Sequence, residues 1–431
     1  METVLCPRSG FPPRGRNFFG VVEQNAFASP DFFGRSPDFG IDFVNLFRYN
    51  AGQRDASFVR GTILYQNVGG AYCMARIRVG SVGIGGISRG VHLPGIAASS
   101  DLELAAVCDI REDALQAAQQ AYGVAPERCF RDYRDLIACE DVDVVDISTP
   151  NDVHFEVAMA AAKAGKSFCV EKPLTLTAEQ ADTLARAVEQ AGVKTMVCFS
   201  YRYKAAARYA RDLVRGGTLG KIYHVDMEYS QAWGLPQFGT PRVWRFHKAE
   251  TGSGALGDLG SHALDLVRFV TGEEYERIVG HAETFVHERK ALSGDAVVPV
   301  DVDDFSNMLA QMSSGIAASF RITRFGYGRG NYQRMVVYGE KGSLVYLLDE
   351  NGSSEDTLDV CLEPLGAENH MFVRVPVPHR YRADQMQSFA DILLGKADGL
   401  SATVADGRVN MHAVDAVLAS AEKGAWVEIK P

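Results

Sequence analysis

IRVGSVGIGGIS, residues 77–88, decides how the rest of the chain is read. Ile77-Arg78-Val79-Gly80-Ser81-Val82 alternates as a strand does and passes without a break into Gly83-Ile84-Gly85-Gly86-Ile87-Ser88. This is a G-x-G-x-x-G pattern with Ser88 in the third place. Gly83 permits a tight turn, and Gly85 lets the main chain approach a pyrophosphate. The helix that follows aims its free N–H groups and its dipole at that anion. Ser88 is small enough for close helix–strand packing. Glycine-rich strand-to-helix turns also occur without a ligand, so the surroundings carry the reading.

Leu102 to Val107 forms a second apolar strand that ends in Cys108-Asp109. Asp109 falls about 20 residues beyond the glycines, where a carboxylate accepts from both ribose hydroxyls of an adenosine and repels a 2′-phosphate. That favours NAD over NADP. Arg111, two residues on, keeps NADP open, because a guanidinium can pair with a 2′-phosphate. The alternation continues with helices expected at 111–122, 132–138, 153–164 and 178–191 and strands at 142–148, 167–170 and 195–199. Strands alternating with helices imply parallel βαβ units in a doubly wound sheet, with ligands beyond the carboxyl ends of the strands. Ser148-Thr149-Pro150-Asn151 and Val170-Glu171-Lys172-Pro173 both lie at such ends.

The second of these ends is unusual. In CVEKPLTLTAEQ, residues 169–180, a buried strand stops in two opposite charges locked against a proline. Ordinary turn chemistry would use Gly, Asn or Asp. Thr177 with Gln180 then reads as a capping box opening the next helix. Further on, Asp258 and His262 are four apart at the start of an expected helix ending near Thr271, a spacing that stacks them on one face. Taken singly, that aspartate is more often a helix cap and that histidine a structural one. Asp265 reads as structural, and His92 and Asp303-Asp304 as solvated or loop-anchoring.

Together, Gly83-Ile84-Gly85-Gly86, Thr149-Pro150-Asn151 with His154, and Glu171-Lys172-Pro173 resemble the Gfo/Idh/MocA family of nicotinamide-dependent oxidoreductases. The likeness extends through Tyr201-Arg202, Gly220-Lys221-Ile222, Trp244-Arg245 and the run from Gly254 to Asp265, and covers the chain from Met74 onward. The resemblance implies an α/β protein: a Rossmann domain over 74–199, then an α/β domain over 200–431 with a large, mostly antiparallel open sheet. Strands at 222–230, 278–285, 302–312, 315–324, 334–338 and 343–348 and helices at 384–394 and 407–423 suit that second domain. It also implies Lys172, Asp258 and His262 as the catalytic set facing one cleft, with a cis bond before Pro173. Cofactor contacts are expected from Gly83, Ile84, Gly85, Gly86, Ile87, Asp109, Arg111, Thr149, Pro150, Asn151, His154, Glu171, Lys172 and Arg202. Substrate contacts are expected from Tyr201, Trp244 and Arg245 besides the catalytic set. In this scheme His262 takes the proton of a secondary hydroxyl, Lys172 stabilises the alkoxide, and Asp258 orients the ring or bonds a neighbouring hydroxyl. The substrate class is a sugar, sugar derivative or cyclitol, and the assembly a homo-oligomer, dimer or tetramer.

Bulk properties agree. With 46% hydrophobic and 23% charged residues the 431-residue chain is globular and long enough for two domains. A net charge of -10, with no basic run, argues against nucleic acid and acidic lipid as partners. No apolar stretch approaches the roughly 20 residues of a membrane span. Eight cysteines without a CxxC pair point to a reducing, cytoplasmic setting with no structural metal. Residues 1–73 differ in character: rich in Phe, Arg, Gly and Asn, without lysine or sustained period. They read as a poorly ordered extension or sequence ahead of a misplaced start, the other reading being a docking arm. Two rival functions share the fold: a glycosidase that keeps NAD bound and oxidises C3 transiently, and a nucleotide-sensing regulator. The second has no use for Lys172, Asp258 and His262 together.

Overall fold

Six strands build the first sheet of this computed structural model, which describes residues 65–68, 71–350, 355–362 and 371–430. They are β1 (Ile77–Val82), β2 (Leu102–Cys108), β3 (Cys129–Phe130), β4 (Val144–Ile147), β5 (Phe168–Val170) and β6 (Thr195–Val197). The order is β3-β2-β1-β4-β5-β6, every pair parallel. Val79, Val107, Val145, Ile147, Phe168 and Val170 are buried, as near-continuous apolar strands must be when helices cover both faces. The order reverses between β1 and β4, the position beyond whose carboxyl ends a doubly wound sheet takes its ligand. Helices at Glu112–Tyr122, Tyr133–Ala138, Asn151–Lys163 and Ala178–Ala191 agree with expectation within two residues at each end. The capping box at Thr177 is modified: Thr177 Oγ1 accepts from Gln180 N, but the Gln180 carboxamide reaches Leu176 N, one residue further back.

The second sheet has nine strands: β7 (Ile222–Ser230), β8 (Tyr275–Glu283), β9 (Phe305–Met312), β10 (Ala317–Thr323), β11 (Tyr332–Gly339), β12 (Gly342–Asp349), β13 (Thr357–Leu362), β14 (Val373–Val375) and β15 (Val427–Glu428). Their order is β14-β13-β12-β11-β7-β10-β9-β8-β15. Only β7 with β10 is parallel; the other pairs are antiparallel. The covered face is plain in β9, where Met308, Ala310 and Met312 are buried while Asn307 and Leu309 are exposed. Helices Ser261–Thr271 and Val404–Lys423 pack on that face. Gly280 admits the second of them closely, since a Cβ there would lie 2.8 Å from Val417 Cγ1.

The chain end returns to the first sheet. Helix Gln385–Leu394 puts Met386, Phe389 and Ala390 into the apolar cluster that holds Val79, Ile84, Leu93 and Leu102. Ala402 accepts from Val197 N at 2.8 Å, closing the free edge of β6. Helix Ala205–Arg215 has no counterpart in the sequence expectations, because arginines interrupt its apolar stripe and one of them, Arg208, is itself buried. A hairpin of Tyr65–Val68 with Ala71–Met74 precedes β1; the rest of the expectation for 1–73 lies outside the described residues. Among those residues no helix is long and apolar enough to cross a membrane.

Candidate active site

The glycine turn after β1 has the geometry its sequence implies. Gly83 adopts φ +89°, and a Cβ there would lie 2.7 Å from Thr149 N and 2.8 Å from Ser148 O. The turn therefore lies directly against the loop after β4, and Ser148 Oγ donates to Gly83 O at 2.8 Å. Over Gly85 and Gly86 the reverse holds: a Cβ at either would meet nothing within 4 Å. The open side of this cradle faces the start of a helix, which suits a pyrophosphate. Ile87 is exposed beside it. The dinucleotide expected from the sequence fits these residues.

Asp109, at the end of β2, reaches the same turn. Its Oδ2 accepts from Ile84 N at 2.8 Å and its Oδ1 from Arg111 N at 2.9 Å. Arg111 folds back on it, Nε to Oδ1 at 3.3 Å, so its charge is answered by Asp109 rather than held out to a 2′-phosphate. Ile84 needs correction as a cofactor contact. Its side chain is fully buried, its N–H is spent on Asp109, and its carbonyl accepts from Arg111 at 3.4 Å.

The loops after β4 and β5 complete the site. Pro150 precedes helix Asn151–Lys163, whose first residue reaches Thr251 O through Nδ2 at 3.4 Å. Lys172–Pro173 is a cis peptide. His154 also needs correction as a cofactor contact. His154 is wholly buried, with Nδ1 2.9 Å from Pro173 O and Nε2 3.0 Å from Thr149 O. It fills the space between the two loops; burial holds it below the ordinary histidine value, so the neutral ring donates to one of these two carbonyls at a time. Both carboxylate oxygens of Glu171 are likewise taken within the protein, by His92 and by Lys172 N.

The ammonium of Lys172 donates to Asp258 O at 2.8 Å and to Asp258 Oδ1 at 2.9 Å. Asp258 Oδ2 accepts from Arg324 Nη2 at 3.2 Å, and Arg245 Nε stands 4.0 Å away. Burial opposes charge on this carboxylate, but Lys172, Arg324 and Arg245 outweigh it and hold Asp258 well below the usual carboxylate range. The pair Asp258 and His262 does share one side of a helix, but through a π-turn, Leu256–Gly260, that runs into Ser261–Thr271. Asp303 fixes the start of this element by accepting from Gly254 N at 2.6 Å and Leu256 N at 2.7 Å. Asp304 holds Phe285 N and Val286 N, so both aspartates anchor loops.

His262 is buried among aromatic rings, with Tyr201 edge-on at 4.7 Å, Phe199 at 6.0 Å and Tyr229 at 6.3 Å. Its Nδ1 meets no hydrogen-bond partner among the described residues, so Asp258 does not orient the ring by a bond, contrary to one expected role. Burial first, and then the Lys172 charge, hold it well below the ordinary histidine value. Tyr201 packs edge-on against His262, its hydroxyl 2.6 Å from that of Tyr229 and bonded to the Asn331 amide. Burial pushes that hydroxyl up to about 12, which makes it a neutral donor. Trp244 and Arg245 form a short turn, the guanidinium 4.3 Å over the indole.

Arg202 is not free for a cofactor. Its guanidinium is bound by Asp265 at 2.8 and 2.6 Å and by Asp406 at 3.1 Å, all within a buried network. Asp265 is thus structural, as expected. Sequence reasoning missed Arg324, which is wholly buried against the Trp233 ring and braces Asp258. The signal was present: Ala318, Phe320 and Ile322 point inward, and Arg324 continues their parity. His92 is not solvated, and it anchors the loop after β5 from inside the protein. It is buried between Asp146 and Glu171.

Comparisons with known proteins agree with this geometry. The family described as "Oxidoreductase family, NAD-binding Rossmann fold" matches residues 77–199, and "GFO/IDH/MocA C-terminal domain" matches residues 207–345. Levoglucosan dehydrogenase of Pseudarthrobacter phenanthrenivorans is 32% identical over 343 residues, 73% of this chain and 86% of that protein. Myo-inositol 2-dehydrogenase of Thermotoga maritima is 29% identical over 285 residues, 64% of this chain and 79% of that protein. A solved levoglucosan dehydrogenase in complex with NADH and levoglucosan superposes with TM-score 0.74 at 28% identity, covering 83% of this chain and 100% of that one. With both halves matched in order, the chain belongs to the Gfo/Idh/MocA family and is an NAD-dependent oxidoreductase.

Proposed function

We propose that the protein oxidises a secondary hydroxyl of a sugar, sugar derivative or cyclitol, with His262 as general base and Lys172 as the cation that stabilises the alkoxide. The observation that carries this reading is the convergence of the two groups: Lys172 is bonded to Asp258, one turn ahead of His262, and its charge acts on that imidazole. Both lie far apart in sequence. NAD, when bound, accepts the hydride; Gly83, Gly85, Gly86 and Ile87 of the cradle and Asp109 at the strand end are the residues suited to hold it.

The protein's own groups divide the remaining work. An ammonium has three N–H donors. Two are spent on Asp258, which leaves one for the substrate oxygen and aims it. As the hydroxyl proton moves to His262, the fixed positive charge offsets the growing negative charge on oxygen. Burial, and after it the same charge, keep His262 unprotonated and able to accept. Tyr201, Tyr229 and Asn331 supply a polar wall of hydroxyl and amide groups beside the base, which matches a polyhydroxylated substrate.

A panel of sugars and polyols, followed by NADH absorbance with NAD and NADP run side by side, tests the substrate class. Accumulation of free NADH in step with substrate consumption supports the dehydrogenase over a glycosidase that retains its cofactor. Substituting Lys172→Ala is expected to lower kcat by roughly 10²–10³-fold, the loss typical of one preorganised charge donor, while NADH affinity stays within about twofold. Unchanged turnover in that variant would remove Lys172 from the chemistry.

A further inference from the structure

One buried titratable group is unused by this mechanism. His92 closes the π-turn Ser88–His92 in the helix that begins at the glycine cradle, and it is 0% exposed. Its Nδ1 lies 2.7 Å from Asp146 Oδ1 and its Nε2 lies 3.0 Å from Glu171 Oε1. Carboxylates only accept hydrogen bonds, so holding both requires an imidazolium that donates from both nitrogens. Burial works against that charge, but Asp146 and Glu171 outweigh it and hold His92 well above the ordinary histidine value.

The cluster extends to the strands on either side. Asp146 Oδ2 accepts from Ser81 Oγ of β1 at 2.7 Å, and Asp146 Oδ1 also takes the Cys169 thiol of β5 at 3.2 Å. Cys198 stands close to His92 and Glu171. Glu171 Oε2, the oxygen that His92 does not hold, accepts the main-chain N–H of Lys172 at 3.2 Å. Lys172 is therefore tied at both ends, main chain to Glu171 and ammonium to Asp258. Without His92 the Glu171 carboxylate would be a buried charge lacking its counter-ion, a state costly enough to force rearrangement. The cation nearest along the chain is the Lys172 ammonium.

We propose that His92, acting through Glu171, is a positioning residue for Lys172: it keeps the Glu171 carboxylate on the Lys172 main chain, so that the ammonium stays on Asp258 and faces the reacting hydroxyl. The proposal rests on the assignment of Lys172 above. It also gives the two halves of the reaction a common strut, because His92 rides on the helix whose start faces the pyrophosphate.

The test uses the full-length protein saturated with NADH and follows the histidine ring signals by NMR, with His262→Gln assigning the relevant one. The Lys172→Met variant calibrates the readout: removing the charge raises the His262 titration towards, but not to, the ordinary value. Glu171→Gln, which keeps the side-chain shape and leaves His92 paired with Asp146, is expected to raise it in the same direction while NADH affinity changes by less than about twofold. His92→Gln should do the same. In both, kcat on an active substrate falls on the order of 10²-fold, as for a reacting group misplaced by about 1 Å. If His262 titrates as in the parent while NADH affinity drops, His92 is only an anchor for the cofactor turn and the proposal fails. Should His92→Gln not fold, Glu171→Gln carries the decision. If Lys172→Met itself leaves His262 unmoved, it is the shared site of Lys172 and His262 that is wrong.

Discussion

At the scale of single residues, His262 sets the response to pH. Its value is depressed by burial and then by Lys172, so it stays neutral in the folded enzyme well below pH 6.5, the ordinary value. A base acts only when unprotonated. The acid limb of the kcat/KM profile is therefore expected below pH 6.5, and a limb at or above that value would contradict the assignment. The stability consequence has a definite sign. The unfolded chain takes up a proton at this position as pH falls through 6.5, whereas the folded chain does not until its lower value is reached. The group's contribution is thus complete above pH 6.5 and is lost as pH falls through the window beneath it. The residue scale is also where sequence reading was weakest. Ile84, His154 and Arg202 were the right residue types in the right motifs, yet other protein groups already hold their donors and acceptors. Residue type and spacing do not reveal a partner 19 or 63 positions away. That Lys172 meets Asp258, 86 positions away, was expected from the resemblance alone, because the motifs around both are long and ordered.

Among elements, the glycine turn makes two predictions that pull apart. Gly83 combines φ +89° with a main-chain neighbour 2.7 Å from any added Cβ. Gly83→Ala should cost about 1–3 kcal/mol in urea unfolding and weaken NADH as well. At Gly85 the added Cβ meets open space. Gly85→Ala should leave unfolding unchanged within about 0.5 kcal/mol and still weaken NADH, because the methyl group enters the space the pyrophosphate needs. Equal stability losses in the two variants would refute the cradle. Helices and strands with clean periods were readable to within a few residues. The π-turn at Leu256–Gly260 was not, since a single extra residue in a turn leaves the apolar spacing almost intact. Strands β14 and β15, of three and two residues, are too short to show a period.

For the whole molecule, alternating helices and strands made the parallel sheet legible, whereas the strand order of the second sheet was not. Neighbours such as β7 and β10 are joined by pairing, not by proximity in sequence. One face of that sheet is covered by helices; the other exposes Leu309 at 53% in the middle of β9. One exposed apolar residue is ordinary on a protein surface, so Leu309 serves here as a probe of whether this face associates. We expect a dimer or tetramer by size exclusion with light scattering, and a shift towards smaller species for Leu309→Lys; a parent protein that is monomeric at all concentrations would exclude this surface.

Helix Gln385–Leu394 lays Met386 and Phe389 into the apolar cluster beneath β1 and β2, and Ala402 seals the edge at Val197. A nascent chain emerging from the ribosome cannot finish the nucleotide-holding layer when its own strands have been made. It waits, with oily surface uncovered, for a segment that follows nearly the whole second sheet along the chain. Quality control by proteolysis would then have a long interval in which to act on any copy whose translation stops early.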